Sequence, residues 1–342
     1  MSIIKTKSFW LATCMTLACS VAGVLLAKLP YVNLIGALVL ALLLGIAMQV
    51  FPQQLRQTAQ PGMAFISNKF LRLGIILLGF RLNLVTLARA GVKTILVAMV
   101  GVAGTICLTY WLSKKFGAED ELATLTACGC GICGAAAVMG VSPQIETNDE
   151  ERKRENEVLA VAVVCVMGTV FTLLEIGLKP LLGLSAPQFG IVAGGSLHEI
   201  AHAVAAGGAF GESSLDNALI MKLSRVLLLA PVALIIGYWY QRKFVQKSIA
   251  QHQSAPKKLP IPWFLAGFIL TSVLGTFLPL SSVVLDSCVQ AAYIFLGMAM
   301  AALGISVNFR VIFQRGGAVF GAATISSACL LTYMVIMAKW LF

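Results

Sequence analysis

The sequence predicts an all-α polytopic membrane protein with about eleven transmembrane segments. Of its 342 residues, 59% are hydrophobic and 11% are charged, and the mean hydropathy is +0.90, which leaves too little polar surface for a soluble globule. Apolar runs of about 20 residues, the length that crosses a bilayer, recur from end to end. Because no long hydrophilic segment interrupts them, we expect a single transmembrane domain over residues 1–342.

The first apolar run follows Lys5 and Lys7 and therefore resembles a signal peptide. It continues into a second run without an A-x-A cleavage site, so we assign it to the first transmembrane segment. In chain order, the predicted segments are residues 8–28, 31–51, 71–88, 92–112, 122–142, 157–178, 187–210, 217–240, 261–279, 288–307 and 317–341.

The net charge of +11 indicates orientation in the membrane and not nucleic-acid binding, because the Lys and Arg residues lie mainly in short loops and near segment ends. The basic loop at residues 241–259 has no carboxylate, so the positive-inside rule places it in the cytoplasm. Counting from this loop makes the N-terminus cytoplasmic. The same count puts a loop with Arg56, Lys69 and Arg72 inside.

Two segments are poor continuous helices because glycine is frequent in them, at a cost of about 1 kcal/mol per interior position relative to alanine. They are "ACGCGICGAAAVMGVSP" (127–143) and "GIVAGGSLHEIAHAVAAGGAFG" (190–211). Interrupted segments indicate a transporter's binding site, which makes Gly131, Cys133 and Gly134 candidates. We expect both segments to cross the membrane fully, which puts the loop "ETNDEERKRENE" outside.

Residues 78–91 and 303–316 share Leu, Gly, Asn and Gly at identical spacing. By the predicted topology the two stretches run in opposite directions across the membrane, which is typical of an inverted repeat. Asn83 and Asn308 occupy equivalent positions in the two stretches. We expect them to supply polar contacts from the two halves.

His198 and His202 match the H-E-x-x-H spacing of zinc metalloproteases. A zinc site needs a third ligand, and the only other histidine is His252 in the basic loop. Asp216 is the carboxylate that an intramembrane metalloprotease could recruit, so that alternative stays open. The cysteines of "CGCGIC" (128–133) are more simply explained by close helix packing than by metal or redox chemistry. We predict no metal, no cofactor and no enzymatic activity.

Ser196 and Glu199 have the spacing of a capping box, which predicts that a half-helix begins at Ser196, after the flexible Gly194 and Gly195. A helix N-terminus attracts anions. His198 in its first turn is an ionisable group at membrane depth, which favours a role in proton coupling.

The next segment carries Lys222 and Arg225 on one helix face. We expect Lys222 to extend to the membrane interface, whereas Arg225 lies further in. Arg81, in the middle of "LLGFRLNL", is a second deep arginine. Because guanidinium groups suit bidentate contact with oxyanions, both arginines are candidate anion ligands.

Five stretches together give the chain a family resemblance: "LRLGIILLGFRLN", "GICGAAAV", "GSLHEIAHAVAAG", "KLSRVLLLAP" and "LGMAMAALGIS". They resemble the bacterial sulfate exporter family of conserved inner-membrane proteins, from about residue 30 onwards. The resemblance implies an inner-membrane transporter, similar in plan to sodium/proton antiporters and bile-acid symporters, and places His198 and Glu199 inside the family's motif but His202 outside it. An oligomer would be compatible with this plan.

The sequence therefore predicts a secondary transporter that moves a small anion, such as a sulfur oxyanion, across the bilayer by alternating access. An anion channel of similar architecture is the main alternative. The candidate substrate-binding residues are Ser196, His198, Glu199, Arg225, Arg81, Asn83, Asn308, Gly131, Cys133 and Gly134.

Overall fold

The computed structural model describes the chain except for residues 1–5, 30–36, 51–52, 82–83, 86–90, 146, 148, 251–262, 279 and 307–308. Asn83, Asn308 and residues 251–259 of the basic loop therefore lie outside the described residues. Residues 241–250, predicted as the start of that loop, are instead the helical end of Leu229–Ala250, so the loop begins later than predicted. The described part is helical and contains no strand, which confirms the predicted all-α class. Its helices are α1 (Lys7–Leu26), α2 (Ala37–Ala47), α3 (Gln53–Leu78), α4 (Gly91–Lys115), α5 (Asp120–Gly131), α6 (Ala135–Val141), α7 (Glu150–Leu182), α8 (Ala186–Ser196), α9 (Ile200–Gly208), α10 (Glu212–Leu227), α11 (Leu229–Ala250), α12 (Trp263–Phe277), α13 (Ser282–Ser306) and α14 (Phe309–Leu341).

Within the described residues, seven stretches are long and apolar enough to cross a membrane: Lys7–Leu26, Thr58–Arg81, Gly91–Lys115, Glu150–Leu182, Glu212–Arg242, Val283–Ala302 and Gly316–Leu341. Two shorter apolar helices, Leu40–Val50 and Ala266–Phe277, accompany them. With the two glycine-rich segments, these stretches account for the eleven predicted segments. The chain is a polytopic α-helical membrane protein.

The third segment begins earlier than predicted, and the expected loop with Arg56, Lys69 and Arg72 is part of α3. The sequence misled here because α3 contains Pro61 and Gly62, which are typical of a loop. In the fold, the Gly62 amide donates to the Ser8 hydroxyl of α1 at 3.1 Å. The close approach of α1 and α3 thus gives the Gly62 amide an acceptor directly after the proline, where the helical hydrogen bonding is interrupted.

The helices form two bundles. The panel bundle consists of α1, α2, α3, α12 and α13, with α13 packed against α1, α2 and α3 and with α12 packed against α3. The hairpin bundle consists of α4 to α11 and α14, with α14 packed against α4, α5, α7 and α8. The two bundles meet where α3 approaches α6 and where α13 approaches α7.

Packing partners occur in matching pairs, as an inverted repeat requires. The contact of α4 with α5 in the first glycine-rich segment matches the contact of α14 with α8 in the second glycine-rich segment, and the contact of α4 with α10 matches that of α14 with α7. In the panel bundle, the contact of α2 with α13 matches that of α12 with α3. Helices α4 and α14 run antiparallel to each other. Tyr333, late in α14, donates its hydroxyl to the carbonyl of Val97, early in α4, whereas the hydroxyls of Thr109 and Ser326 bond in the reverse order along the two helices. In the chain, α4 precedes the glycine-rich segment that it packs against, whereas its counterpart α14 follows the one that it packs against. The corresponding elements of the two repeats therefore occur in a different order.

Neither glycine-rich segment crosses the membrane, and this corrects our expectation of full crossing. In the first, Arg152 at the start of α7 bonds Glu119 at the start of α5, and the Lys153 ammonium donates to the Ile145 carbonyl at 2.8 Å. Both ends of this segment therefore lie at one end of the molecule. We name residues 120–141 hairpin 1.

In the second segment, the rings of Phe189 and Phe210 lie 4.7 Å apart, so its two ends also meet. We name residues 186–208 hairpin 2. The charge pattern could not show that these segments return to the side from which they enter. A hairpin and a full crossing differ only in the side on which the loop "ETNDEERKRENE" lies, and the mixed charge of this loop favours neither side.

We predict that cysteines placed at Lys115 and Glu151, on opposite sides of hairpin 1, react with an impermeant thiol reagent from the same side of the membrane. Cysteines at Glu212 and Ser213, beyond hairpin 2, should react from the other side. All four positions are exposed. The measurement is labelling of intact cells and of lysed cells in a variant without native cysteines. Labelling of the Lys115 and Glu151 positions from opposite sides would contradict the hairpin.

Candidate functional site

The two hairpins enter from opposite ends of the hairpin bundle and meet at their tips. Hairpin 1 breaks at residues 132–134, between α5 and α6, and hairpin 2 breaks at residues 197–199, between α8 and α9. The carbonyls of both tips are hydrogen-bonded to the same two side chains of α10, Lys222 and Arg225. Helix α10 therefore fixes the two tips against each other.

Ser196 ends α8, whereas we expected it to begin the next half-helix; the N-cap residue of α9 is Glu199, which makes no side-chain capping bond. The Ser196 hydroxyl donates instead to the Val192 carbonyl and to Glu175, each at 2.6 Å. Gly194, expected to be flexible, is helical. The Ala218 backbone of α10 lies so close that a Cβ at residue 194 would overlap the Ala218 carbonyl, which explains the glycine at this position.

Arg225 is 1% exposed and donates to four backbone carbonyls. Its Nη2 donates to Cys130 and Gly131 at 3.0 and 2.7 Å, and its Nη1 donates to Gly195 and Leu197 at 2.5 and 3.1 Å. Its Nε donates to Gly131 at 3.2 Å. The guanidinium donors are therefore occupied by carbonyls in this conformation. This differs from the anion-ligand role that we expected for Arg225.

Lys222 does not extend to the interface as expected, since its side chain is fully buried. Its ammonium donates to the carbonyls of Leu197 and His198, both at 2.6 Å, and of Ile132 at 3.2 Å. A helix C-terminus leaves carbonyls without partners and carries a partial negative charge. The two cations satisfy such carbonyls at the ends of α5 and α8, where no water reaches.

Glu175 of α7 is a fully buried carboxylate that the sequence analysis missed. It accepts from Ser196, while its Oε2 meets no donor among the described residues. The signal that could have found it is an acidic residue in the apolar stretch "TLLEIGL", since ionisable groups at membrane depth are costly. Together with Glu199, it supplies two carboxylates against the two buried cations.

His198 and His202 both lie against α7. The His198 Nε2 is 3.0 Å from the Ser327 hydroxyl of α14, and its ring packs edge-on against Phe171. The His202 ring lies against Gly168 of α7, where a Cβ would overlap it. Both rings are buried. No group of three or more His, Cys, Asp or Glu side chains able to hold a metal occurs among the described residues, so the H-E-x-x-H hypothesis gains no third ligand.

Glu199 points away from His198, towards hairpin 1 and α7. Its Oε1 accepts from the Cys165 thiol at 3.5 Å. A Cβ at Gly134 would lie 2.6 Å from the Glu199 Cγ, and Gly134 has a φ of 75°, so only glycine fits there. The turn at residues 197–199 thus directs the side chains of His198 and Glu199 to different neighbours.

Between the two bundles lies a cavity of about 40 Å³, which we name the tip cavity. The hairpin bundle contributes Cys133, Ala136, Glu199 and Ile200, and the panel bundle contributes Ala37, Leu38, Leu78, Tyr293 and Leu296. Arg81 reaches this region indirectly, because its Nη1 donates to the Tyr293 hydroxyl at 3.2 Å. Of the expected site residues, Glu199 and Cys133 line the cavity, and Gly134 lies against Glu199. The lining does not include Gly131, Ser196, His198 or Arg225.

These features define a class: a polytopic membrane protein with two opposed re-entrant hairpins, joined by buried cations and facing a panel of helices. The chain belongs to the family described as conserved hypothetical protein 698, whose sequence profile matches residues 12–323.

Three relatives illustrate the similarity. A UPF0324 membrane protein of Lactobacillus johnsonii is 80% identical, over 100% of this chain and 99% of its own length. A UPF0324 membrane protein of Bifidobacterium longum is 46% identical over 96% and 94% of the two chains. A Bacillus cereus UPF0324 membrane protein is 41% identical over 94% and 93%. This confirms the family that the sequence motifs indicated.

Proposed function

We propose that this protein is a secondary transporter of a small anion, such as a sulfur oxyanion, in the bacterial inner membrane, with its N-terminus in the cytoplasm. The observation that carries the proposal is the meeting of two re-entrant hairpins, from opposite ends of the molecule, at a cavity between two bundles. Irregular backbone at membrane depth is typical of transporter binding sites.

The tip cavity supports an alternating-access mechanism. Its volume of about 40 Å³ has room for roughly one or two water molecules, so the path through the protein is closed there. One wall belongs to the hairpin bundle, which Lys222 and Arg225 tie together, and the other belongs to the panel bundle. A shift of one bundle against the other opens the cavity to one side of the membrane at a time.

The N-terminal end of α9 favours an anion as the substrate. Lys222 and Arg225 neutralise the carbonyl ends of α5 and α8. The N-terminal turn of α9 lies at the tip cavity, and its backbone N–H groups and helix dipole attract negative charge. Glu199 lies at the same end of α9, and while its carboxyl is ionised it competes with an anion for these N–H groups. In our proposal, Glu199 takes up a proton when the anion binds, which couples transport to protons.

We predict that proteoliposomes containing the protein take up radiolabelled sulfate in a saturable manner, faster with a proton gradient and with counterflow by unlabelled sulfate. Glu199→Gln mimics the protonated carboxyl, so it should lose at least about tenfold of the proton-driven uptake while retaining counterflow. The control is Glu212→Gln, because Glu212 is exposed and remote from the tip cavity.

Sulfite, thiosulfate and small sulfonates serve as competing substrates in the same assay. Saturable uptake without counterflow would indicate a channel instead of a transporter. If none of these anions is taken up, or if Glu199→Gln behaves like Glu212→Gln, the proposed mechanism is wrong.

A further inference from the structure

A second cavity, of about 160 Å³, lies between the two bundles near the open end of hairpin 1. We name it the basal cavity. Its panel wall includes Ser67 and Arg72 of α3, and its other wall includes Ser142 after α6 and the first turns of α7. The charged residues of its lining are three cations and two carboxylates, namely Arg72, Lys153, Arg154, Glu150 and Glu157.

Several of these groups are already engaged. Glu157 accepts from the Ser142 hydroxyl, and the Lys153 ammonium donates to the Ile145 carbonyl. By contrast, the Arg72 Nε is buried and meets no acceptor among the described residues. An orphaned guanidinium donor in a polar cavity is costly, because it has given up its hydration without a replacement. Its natural partner is an anion.

We propose that the basal cavity binds a divalent tetrahedral oxyanion, of the sulfate or phosphate type, between Arg72 and Arg154. A cavity of about 160 Å³ has space for such an ion with some of its water. Guanidinium groups bind tetrahedral oxyanions through paired, charge-assisted hydrogen bonds. The cations outnumber the carboxylates by one in the lining, so the lining carries a net positive charge that attracts an anion.

Binding at this site links the two bundles, because Arg72 belongs to the panel bundle and Arg154 to the hairpin bundle. Neither Glu199 nor the hairpin tips take part. The basal cavity is therefore an anion site in its own right, and it holds the bundles together at the end where hairpin 1 opens, whatever passes through the tip cavity.

The test is equilibrium binding of radiolabelled sulfate to the purified full-length protein in detergent, with inorganic phosphate as competitor. We expect Arg72→Gln and Arg154→Gln each to weaken this binding by about tenfold or more. Arg152→Gln is the matched control: Arg152 is two residues from Arg154 but pairs with Glu119 at the surface and does not line the cavity. It should leave binding unchanged.

Arg72→Lys and Arg154→Lys keep the charge without the planar fork, so they should retain part of the binding. Thermal unfolding of each variant separates lost binding from lost folding. The proposal is overturned if the wild-type protein binds neither sulfate nor phosphate, if both Gln variants of the cavity bind as the wild type does, or if Arg152→Gln loses as much. Binding that follows this pattern without transport in liposomes would support the site and reject the proposed function.

Discussion

Arg225→Ala is expected to lower the free energy of unfolding by roughly 3–5 kcal/mol, the range measured when one partner of a buried charged contact is removed. The substitution leaves the carbonyls of Cys130, Gly131, Gly195 and Leu197 without this donor in a part of the protein that water does not reach. The two hairpin tips would then lose the bonds that join them.

The measurement is the midpoint of thermal unfolding of the purified protein in detergent, together with the yield of monodisperse material. Arg225→Lys should retain part of the stability, because an ammonium keeps the charge but cannot reach four carbonyls. Arg242→Ala is the control, since Arg242 is exposed and its guanidinium lies over the ring of Tyr238, away from the hairpin tips. Loss of anion transport in Arg225→Ala with unchanged unfolding would show that Arg225 acts on the substrate and not as a clamp.

Gly194→Ala is expected to cost about 3 kcal/mol, at the upper end of the usual range for overpacking. A Cβ at residue 194 would overlap the carbonyl oxygen of Ala218 and lie 2.9 Å from its Cα. These are backbone atoms of α10, so they cannot move aside without displacing the helix that carries Lys222 and Arg225. The change should therefore separate hairpin 2 from α10 and lower the unfolding midpoint.

Gly177→Ala is the matched control, because Gly177 is also helical but has nothing within 4 Å of the added Cβ. It should raise the stability by up to about 1 kcal/mol, the difference between glycine and alanine in a helix interior. Equal effects at the two positions would mean that close contact with α10 does not explain the glycine at residue 194.

The sequence by itself determined the class and the segments. Hydropathy and length depend only on local composition, so they identified the apolar segments and the two interrupted ones, although α3 began before the predicted residue 71. Glycine content marked the breaks near Gly134 and Glu199 for the same reason. The motifs identified the family.

Only the tertiary structure decided the path of the interrupted segments and the partners of the buried charges. Whether residues 120–141 return or cross depends on contacts with distant helices, such as Glu119 with Arg152. The partners of Arg225 lie 28 to 95 residues away in the chain and are backbone carbonyls, which have no sequence signature. The position of Arg225 in an apolar segment indicated a buried cation. Only packing determined that Lys222 and Arg225 bind the carbonyl ends of two half-helices and are not available to an anion.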